Sequence, residues 1–298
     1  MGNNSRVTLL FALLRTMRLN QWMKNLILFA GLIFAHHLFD FALGVRTLAA
    51  FFLFCLLSSA IYIINDIKDV AQDRMHPLKS KRPIAAGQLS IPTATIAAAT
   101  LASAALAGAF ALDRNFGGAA AVYFSLLFAY SFWLKHLVIL DVLTLAVGFV
   151  LRAIAGAVVI HVEFSSWLLL CTILLALFLG LSKRRHEIVL LGEHAQSHRK
   201  ILEEYSPYFL DQMIGVVTAS TLMAYALYTM DPDTIRKFGT KYMILTTPFV
   251  IYGIFRYLYL VHQKEQGGSP TTLLVTDKPI LIDVLLWGLV SVLLIYVK

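Results

Sequence analysis

Long apolar runs recur from one end of this 298-residue chain to the other. Runs of about 20 residues have the length that an α-helix needs to cross the hydrocarbon core of a bilayer. They lack the apolar–polar alternation of membrane-barrel strands, and the 59% share of hydrophobic residues exceeds that of soluble domains. The sequence therefore predicts an all-α, polytopic membrane protein with one transmembrane domain over residues 1–298. Its nine candidate spans are 22–40, 44–66, 92–112, 116–134, 137–160, 165–183, 208–230, 240–261 and 279–297.

Basic side chains set the predicted orientation. With the amino terminus in the cytoplasm, 18 of the 25 Lys and Arg residues fall on the inner side, six fall on the outer side, and Arg152 lies inside a span. This excess places loops 66–91 and 182–207 at the cytoplasmic face of the cell membrane. Residues 1–21 are predicted to lie in the membrane interface. The net charge of +8 indicates contact with membrane lipids and phosphates rather than with nucleic acid.

The densest charged run is residues 65–87, NDIKDVAQDRMHPLKSKRPIAAG. If the preceding helix continues, Asp66, Asp69 and Asp73 stand at i, i+3 and i+7 within roughly a 60° arc, with Asn65 at its edge. Three like charges on one face repel unless a cation neutralises them, and hard oxygen donors suit Mg²⁺ that is also held by a phosphate. These four residues are predicted to bind one or two Mg²⁺ ions, and the three aspartates are predicted to be catalytic.

A basic cluster follows the acidic residues in the same loop. Lys79 and Arg82 lie between Pro77 and Gly87, and a side chain of either type binds phosphate oxygens. Acidic groups for a metal and basic groups for phosphate together predict a diphosphate site. The alternative is a solvated cytoplasmic loop in which the acidic and basic residues pair with one another.

The loop at 182–207 opens with a second basic run, which includes Lys183 and Arg184 and is followed by Glu187. A basic loop suits an anionic acceptor or a sugar phosphate, so all three residues are predicted to bind substrate, and Lys183 is also predicted to be catalytic. The alternative is that these are ordinary charges of the inner face, with Lys183 and Glu187 forming an i,i+4 pair.

Two further basic residues lie at or near membrane depth. Arg152 is deep in the fifth candidate span, where a charge is costly and is expected to face a polar cavity or an anionic ligand, or else a structural partner. Lys24 stands among polar residues at the start of the first span and either reaches the same site or lies at the lipid interface. Both are predicted to bind substrate.

The segment NDIKDVAQD resembles the first aspartate-rich motif, NDxxDxxxD, of the UbiA-type prenyltransferase superfamily. The segments at 18–25 (RLNQWMKN), 140–157 (LDVLTLAVGFVLRAIAGA) and 181–187 (LSKRRHE) are similar to its decaprenyl-phosphate phosphoribosyltransferase branch. The resemblance implies nine transmembrane helices around a central cavity. It also implies Mg²⁺-dependent transfer of 5-phosphoribose from phosphoribosyl diphosphate to a polyprenyl phosphate, with release of pyrophosphate.

The chain departs from the wider superfamily after the sixth span, where most members have a second aspartate-rich motif and this chain has the basic run that begins at Lys183. That difference favours a second substrate that carries a phosphate. Two alternatives stay open at this point. One is an aromatic prenyltransferase with a prenyl diphosphate donor, and the other is a transporter of lipid-linked sugars. The sequence does not indicate an oligomeric state.

Overall fold

A computed structural model describes residues 2–163, 165–191, 200–266, 268 and 270–297. All regular structure within those residues is helical, and eight of the helices are long and apolar enough to cross a membrane, so the prediction of an all-α membrane protein is confirmed. In chain order the α-helices are α1 (Gly2–Thr16), α2 (Ala30–Phe34), α3 (Phe41–Lys68), α4 (Val70–Met75), α5 (Ile91–Leu112), α6 (Arg114–Phe132), α7 (Leu140–Val159), α8 (Ser166–Leu191), α9 (Pro207–Met230), α10 (Pro232–Phe238), α11 (Thr247–Gln263), α12 (Pro270–Thr276) and α13 (Lys278–Tyr296).

The segment predicted as the first span, 22–40, is not one α-helix. A 3-10 helix covers Leu19–Phe29, and only Ala30–Phe34 is α-helical after it. The reason lies in its polar residues, because the fully buried Asn25 donates hydrogen bonds to Cys55 Sγ and Ser58 Oγ on α3, both at 3.2 Å. This segment is held by side-chain hydrogen bonds as well as by apolar packing.

The chain divides into two compact units, Met1–Thr144 with Leu151–Glu163, and Leu145–Val150 with Phe164–Lys298. The single domain expected for residues 1–298 stays a prediction. In the first unit, α3 packs against α5, α6 and the Leu19–Phe29 helix. One face of α5 is a stripe of small side chains that allows a close approach of helices. Its buried members are Ala94, Ala98, Ala102, Ala105 and Ala109.

Several helices begin at a Ser or Asp side chain that accepts a hydrogen bond from the backbone N–H three residues later. This cap satisfies one of the N–H groups that a helix start leaves without a partner. Examples are Asp40 before α3, Ser90 before α5, Asp113 before α6, Ser206 before α9 and Asp277 before α13.

In the second unit, α8 packs against α9, and α11 packs against α13. The helix α8 extends to Leu191, nine residues beyond the start of the loop predicted at 182–207, so Lys183 to Glu187 lie on a helix rather than in a loop. A 3-10 turn covers Lys200–Glu204, and residues 192–199 of the predicted loop lie outside the described residues.

The helix α1 presents two different faces. Ala12 is buried against Ile63, Ile84 and Leu89, together with Met17 just beyond the helix. Leu10 and Phe11 are exposed, Phe11 by 71%. An exposed apolar face beside a basic side chain such as Arg15 is the kind of surface that binds at a membrane interface. The interfacial placement of residues 1–21 stays a prediction.

Candidate active site

Asp66 and Asp73 are both buried, with 3% of each residue exposed, and one guanidinium joins them. Arg82 Nη1 donates to Asp66 Oδ1 at 3.0 Å and to Asp73 Oδ2 at 2.6 Å. The helical spacing therefore brings these two carboxylates to the same side, as the sequence predicted. They are bridged by a cation that belongs to the protein.

The helix breaks at the middle aspartate of the acidic stretch. The helix α3 ends at Lys68, Asp69 takes a non-helical conformation (φ −93°, ψ 6°), and α4 begins at Val70. The Asp69 N–H still bonds to the Asn65 carbonyl at 2.9 Å, and the Asp73 N–H bonds to the Asp69 carbonyl at 2.8 Å. The helical repeat thus continues through the break, but Asp69 is half-buried and has partners of its own.

Asp69 is paired with Lys135, which lies in a 3-10 turn between α6 and α7. The Lys135 ammonium donates to Asp69 Oδ1 at 2.5 Å and to Asn65 Oδ1 at 3.4 Å. Asn65 Nδ2 donates to the other Asp69 oxygen at 3.0 Å. Only 4% of Lys135 is exposed, so this charge is held inside the protein by the acidic stretch.

Arg18 provides a third cation. Its guanidinium donates to Asp66 Oδ1. The same group lies over the ring of Tyr62, 5.1 Å from the ring centre, and Tyr62 stands one turn before Asp66 on α3. Arg18 has a positive φ of 53° between α1 and the Leu19–Phe29 helix. The residue before Arg18 is also held in place, because the Ser59 hydroxyl donates to the Met17 carbonyl at 3.0 Å.

The loop that carries Arg82 is anchored by buried apolar residues. Ile84 and Leu89 are 2% and 1% exposed and pack in the same core as Ile63 of α3. The N–H groups of Gln88 and Leu89 both bond to the Pro83 carbonyl, and Gly87 turns the chain with a φ of 74° that favours glycine. The loop is therefore a packed element that holds Arg82 in place, not a solvated connection.

We call Arg18, Asn65, Asp66, Asp69, Asp73, Arg82 and Lys135 the acid–base cluster. Its three carboxylates are balanced by three cations among the described residues. The acidic and basic residues thus pair with one another, as in the alternative from the sequence. They do so in a cluster where Asp66, Asp73 and Lys135 are buried and Arg18 and Arg82 are partly buried, rather than in a solvated loop.

The acid–base cluster has the donor chemistry for Mg²⁺. Within the described part of the chain, no three His, Cys, Asp or Glu side chains form a group that could hold a metal ion as they stand. Asp66 Oδ2 and Asp73 Oδ1 nevertheless make no hydrogen bond to any described residue, so each carboxylate keeps one oxygen for a cation. Carboxylate and amide oxygens are the hard ligands that Mg²⁺ prefers. The residues present therefore fit this metal.

The other residues predicted in the first unit lie apart from these hydrogen bonds. Lys79 begins a 3-10 turn, and its backbone N–H donates to His76 Nδ1 at 3.3 Å. Lys24 is half-buried on the Leu19–Phe29 helix and makes no hydrogen bond or ion pair with the described residues. Their predicted roles in substrate binding stay predictions.

Arg152 is buried among structural partners. Its Nε donates to Asn25 Oδ1 at 2.8 Å, and its Nη2 donates to the Tyr123 hydroxyl at 2.6 Å. Only 4% of the residue is exposed. This geometry favours the structural alternative, in which Arg152 holds the Leu19–Phe29 helix through Asn25.

The second basic run also pairs locally. Arg184 is 3% exposed and donates to Glu187 Oε2 at 2.6 Å, whereas the side chain of Lys183 is 46% exposed and lies 3.9 Å from Glu187 Oε1. Arg185 donates to Asp211 on α9 at 2.5 Å. Among these basic residues, Lys183 is the one most accessible to a ligand.

Sequence reasoning missed Arg18 and Lys135 as members of the acid–base cluster. A signal for Lys135 was present, because it is the only Lys or Arg in the short inner loop between candidate spans 116–134 and 137–160. Arg18 opens the segment RLNQWMKN, which the resemblance had already singled out.

Comparisons with known proteins agree on one family. The profile of the UbiA prenyltransferase family matches residues 25–275. A decaprenyl-phosphate phosphoribosyltransferase from Corynebacterium glutamicum is 33% identical over 290 residues, which cover 96% of this chain and 87% of the relative. A protein of the same name from Mycolicibacterium smegmatis is also 33% identical, over 94% of this chain and 91% of the relative.

The fold is similar to that of a solved protein as well. The structure of a UbiA homolog from Archaeoglobus fulgidus bound to GPP and Mg²⁺ aligns with a TM-score of 0.72. The alignment covers 96% of this chain and all of that one at 19% sequence identity. At this identity the likeness shows the fold.

Proposed function

Since the chain belongs to the UbiA prenyltransferase family, we propose that it is a membrane glycosyltransferase that moves 5-phosphoribose from phosphoribosyl diphosphate to a polyprenyl phosphate and releases pyrophosphate. Relatives that are about one-third identical over nearly the whole chain are named decaprenyl-phosphate phosphoribosyltransferase, which supports phosphoribosyl transfer involving a polyprenyl phosphate. The reaction takes place at the cytoplasmic face, where the excess of basic residues places the acidic stretch.

The observation that carries the proposal is the acid–base cluster. It contains three carboxylates, which suit a divalent metal, and three basic side chains, which suit diphosphate oxygens. Each of these six groups lies within hydrogen-bond distance of a group of opposite charge. A diphosphate complexed with a metal ion carries both kinds of charge and is therefore matched by both halves of the cluster.

Asp66, Asp69 and Asp73, with Asn65, are the residues that would hold Mg²⁺, as one ion or two. When bound, Mg²⁺ neutralises charge on the diphosphate and eases its departure. Arg18, Arg82 and Lys135 contact phosphate oxygens of the donor and orient its anomeric carbon. Positioning and charge stabilisation are the main tasks of such a site.

The acceptor phosphate is ionised at neutral pH, so the transfer needs no strong general base. Lys183 and Arg184 are assigned to the acceptor phosphate, since a run of basic side chains suits a phosphate monoester better than a second metal–diphosphate complex. Lys24 and Lys79 contribute further positive charge for the substrates, and the polyprenyl tail lies in the lipid or between helices.

The test is a direct assay with the full chain in nanodiscs. Phosphoribosyl diphosphate labelled in the ribose is incubated with polyprenyl phosphate and Mg²⁺, and label is counted in the organic extract. We expect a labelled lipid in wild type, none after chelation, and none in the Asp69→Asn variant. A parallel incubation supplies labelled prenyl diphosphate with an aromatic acceptor, and a product there alone would contradict the proposal. Movement of intact lipid-linked sugar across liposomes without pyrophosphate release would instead indicate a transporter.

A further inference from the structure

The charges of the acid–base cluster are balanced without any metal. Asp66 is paired with Arg18 and Arg82, Asp73 with Arg82, and Asp69 with Lys135. The acidic residues of such a site were expected to need a divalent ion to be tolerated at the membrane edge, because like charges repel. In this structure three protein side chains meet that need.

The pairing has a consequence for the order of binding. A divalent cation that approaches alone meets carboxylates whose charge is already neutralised, and it is repelled by the three cations beside them. A diphosphate that approaches alone meets cations whose charge is already neutralised. A complex of the two supplies a cation for the carboxylates and an anion for the basic side chains in one step.

We propose that Arg18, Arg82 and Lys135 are resident counter-ions that exchange partners during catalysis, so that the metal and the diphosphate bind together and neither binds well alone. Before binding, the three side chains hold the carboxylates. On binding, they pass to the phosphate oxygens and leave the carboxylates to the metal. This inference rests on the proposed function, because it assumes a diphosphate substrate.

Arg82 has the central position in this exchange, since one of its nitrogens contacts both Asp66 and Asp73. Both carboxylates are buried, so water screens them only weakly and their charge must be matched by a neighbour. Loss of the Arg82 charge leaves the cluster with a net negative charge. The site should then attract a metal ion without help from a diphosphate.

The experiment measures Mn²⁺ retained by the full chain in nanodiscs by equilibrium dialysis of radioactive Mn²⁺, with and without inorganic pyrophosphate. Empty nanodiscs are dialysed under the same conditions, and binding is compared at equal free Mn²⁺, because pyrophosphate also binds Mn²⁺ in solution. In wild type, we expect pyrophosphate to lower the Kd of Mn²⁺ by at least about tenfold. In Arg82→Gln, Mn²⁺ alone should bind at least about tenfold more tightly than to wild type, and the enhancement by pyrophosphate should shrink.

A matched control removes an arginine from a different ion pair of the same unit. Arg46 Nη2 lies 3.2 Å from Asp113 Oδ2, away from the acidic stretch, so Arg46→Gln changes the net charge equally. This variant should bind Mn²⁺ as wild type does. If Arg82→Gln does not give a monodisperse protein, Lys135→Gln tests the same exchange at Asp69.

The outcomes separate the exchange from the proposed function. Equal binding of Mn²⁺ to wild type with and without pyrophosphate would overturn the exchange but leave the transfer reaction standing. Weaker binding of Mn²⁺ to Arg82→Gln under both conditions would show that Arg82 only supports the fold, and would also overturn it. Failure of wild type to bind Mn²⁺ even with pyrophosphate would overturn the exchange and the proposed function together.

Discussion

The ammonium nitrogen of Lys135 lies 2.5 Å from Oδ1 of Asp69, although 66 residues separate the two in the chain. Lys135 is almost completely buried, and its turn follows the end of α6. Ile139, a few residues later, has a φ of 68°, a strained value for a β-branched residue. This strained residue lies next to the turn that places Lys135 at the acidic stretch. Backbone strain of this kind is common at functional sites.

We predict that Lys135→Met lowers the transfer rate by about a hundredfold, the usual effect of removing one preorganised group that stabilises developing charge. The labelled-lipid assay at saturating substrates measures the loss. Lys241→Met, at an exposed lysine of the second unit, is the control and should keep the wild-type rate. A Lys135→Met variant with a normal transfer rate would show that Lys135 has no role in the reaction.

The acidic stretch shows which part of a site a sequence can predict. Asp66 and Asp73 share a side because a helix repeats every 3.6 residues, and that regularity is local. Lys135 and Arg18 reach the same carboxylates from other parts of the chain, so their positions depend on packing that no spacing encodes. The eight long apolar helices were predictable from hydropathy, whereas the 3-10 helix at Leu19–Phe29 was not, because it depends on the partners of Asn25.

Arg152 should be important for stability rather than for substrate affinity. Its removal in Arg152→Met leaves Asn25 Oδ1 and the Tyr123 hydroxyl without their buried donor, at about 1–3 kcal/mol for each group. Thermal unfolding in detergent should therefore begin at a lower temperature, while the KM values of the folded fraction stay unchanged.

The conservative variant Arg152→Lys sharpens this test. A lysine keeps the charge but cannot contact both partners with one planar group, so it should recover little of the lost stability. A normal unfolding temperature combined with a raised KM for either substrate would instead make Arg152 a substrate ligand.

Gly156 on α7 is predicted to be intolerant of any side chain. A Cβ at this position would lie 2.1 Å from the carbonyl oxygen of Leu28 and 2.6 Å from its Cα, and backbone atoms cannot move aside as a flexible side chain can. We expect Gly156→Ala to lower the free energy of unfolding by about 3 kcal/mol. Gly118→Ala on α6 is the matched control, since no atom lies within 4 Å of the added methyl group. It should be neutral or stabilise by up to about 1 kcal/mol through helix propensity.

Lys183 and Arg184 are neighbours on α8, but their variants should fail in different ways. The side chain of Lys183 is half-exposed, and its nitrogen lies 3.9 Å from Glu187 Oε1. Because the side chain is half-exposed, Lys183→Gln should change stability little. It should raise the KM for polyprenyl phosphate by about tenfold, the effect of one charge-assisted hydrogen bond. Arg184 is buried and bonds to Glu187 at 2.6 Å, so Arg184→Gln should lower the unfolding temperature as well. Initial rates at varied donor and acceptor concentrations separate the two KM values. A rise in the donor KM alone in Lys183→Gln would show that this lysine binds phosphoribosyl diphosphate rather than the acceptor phosphate.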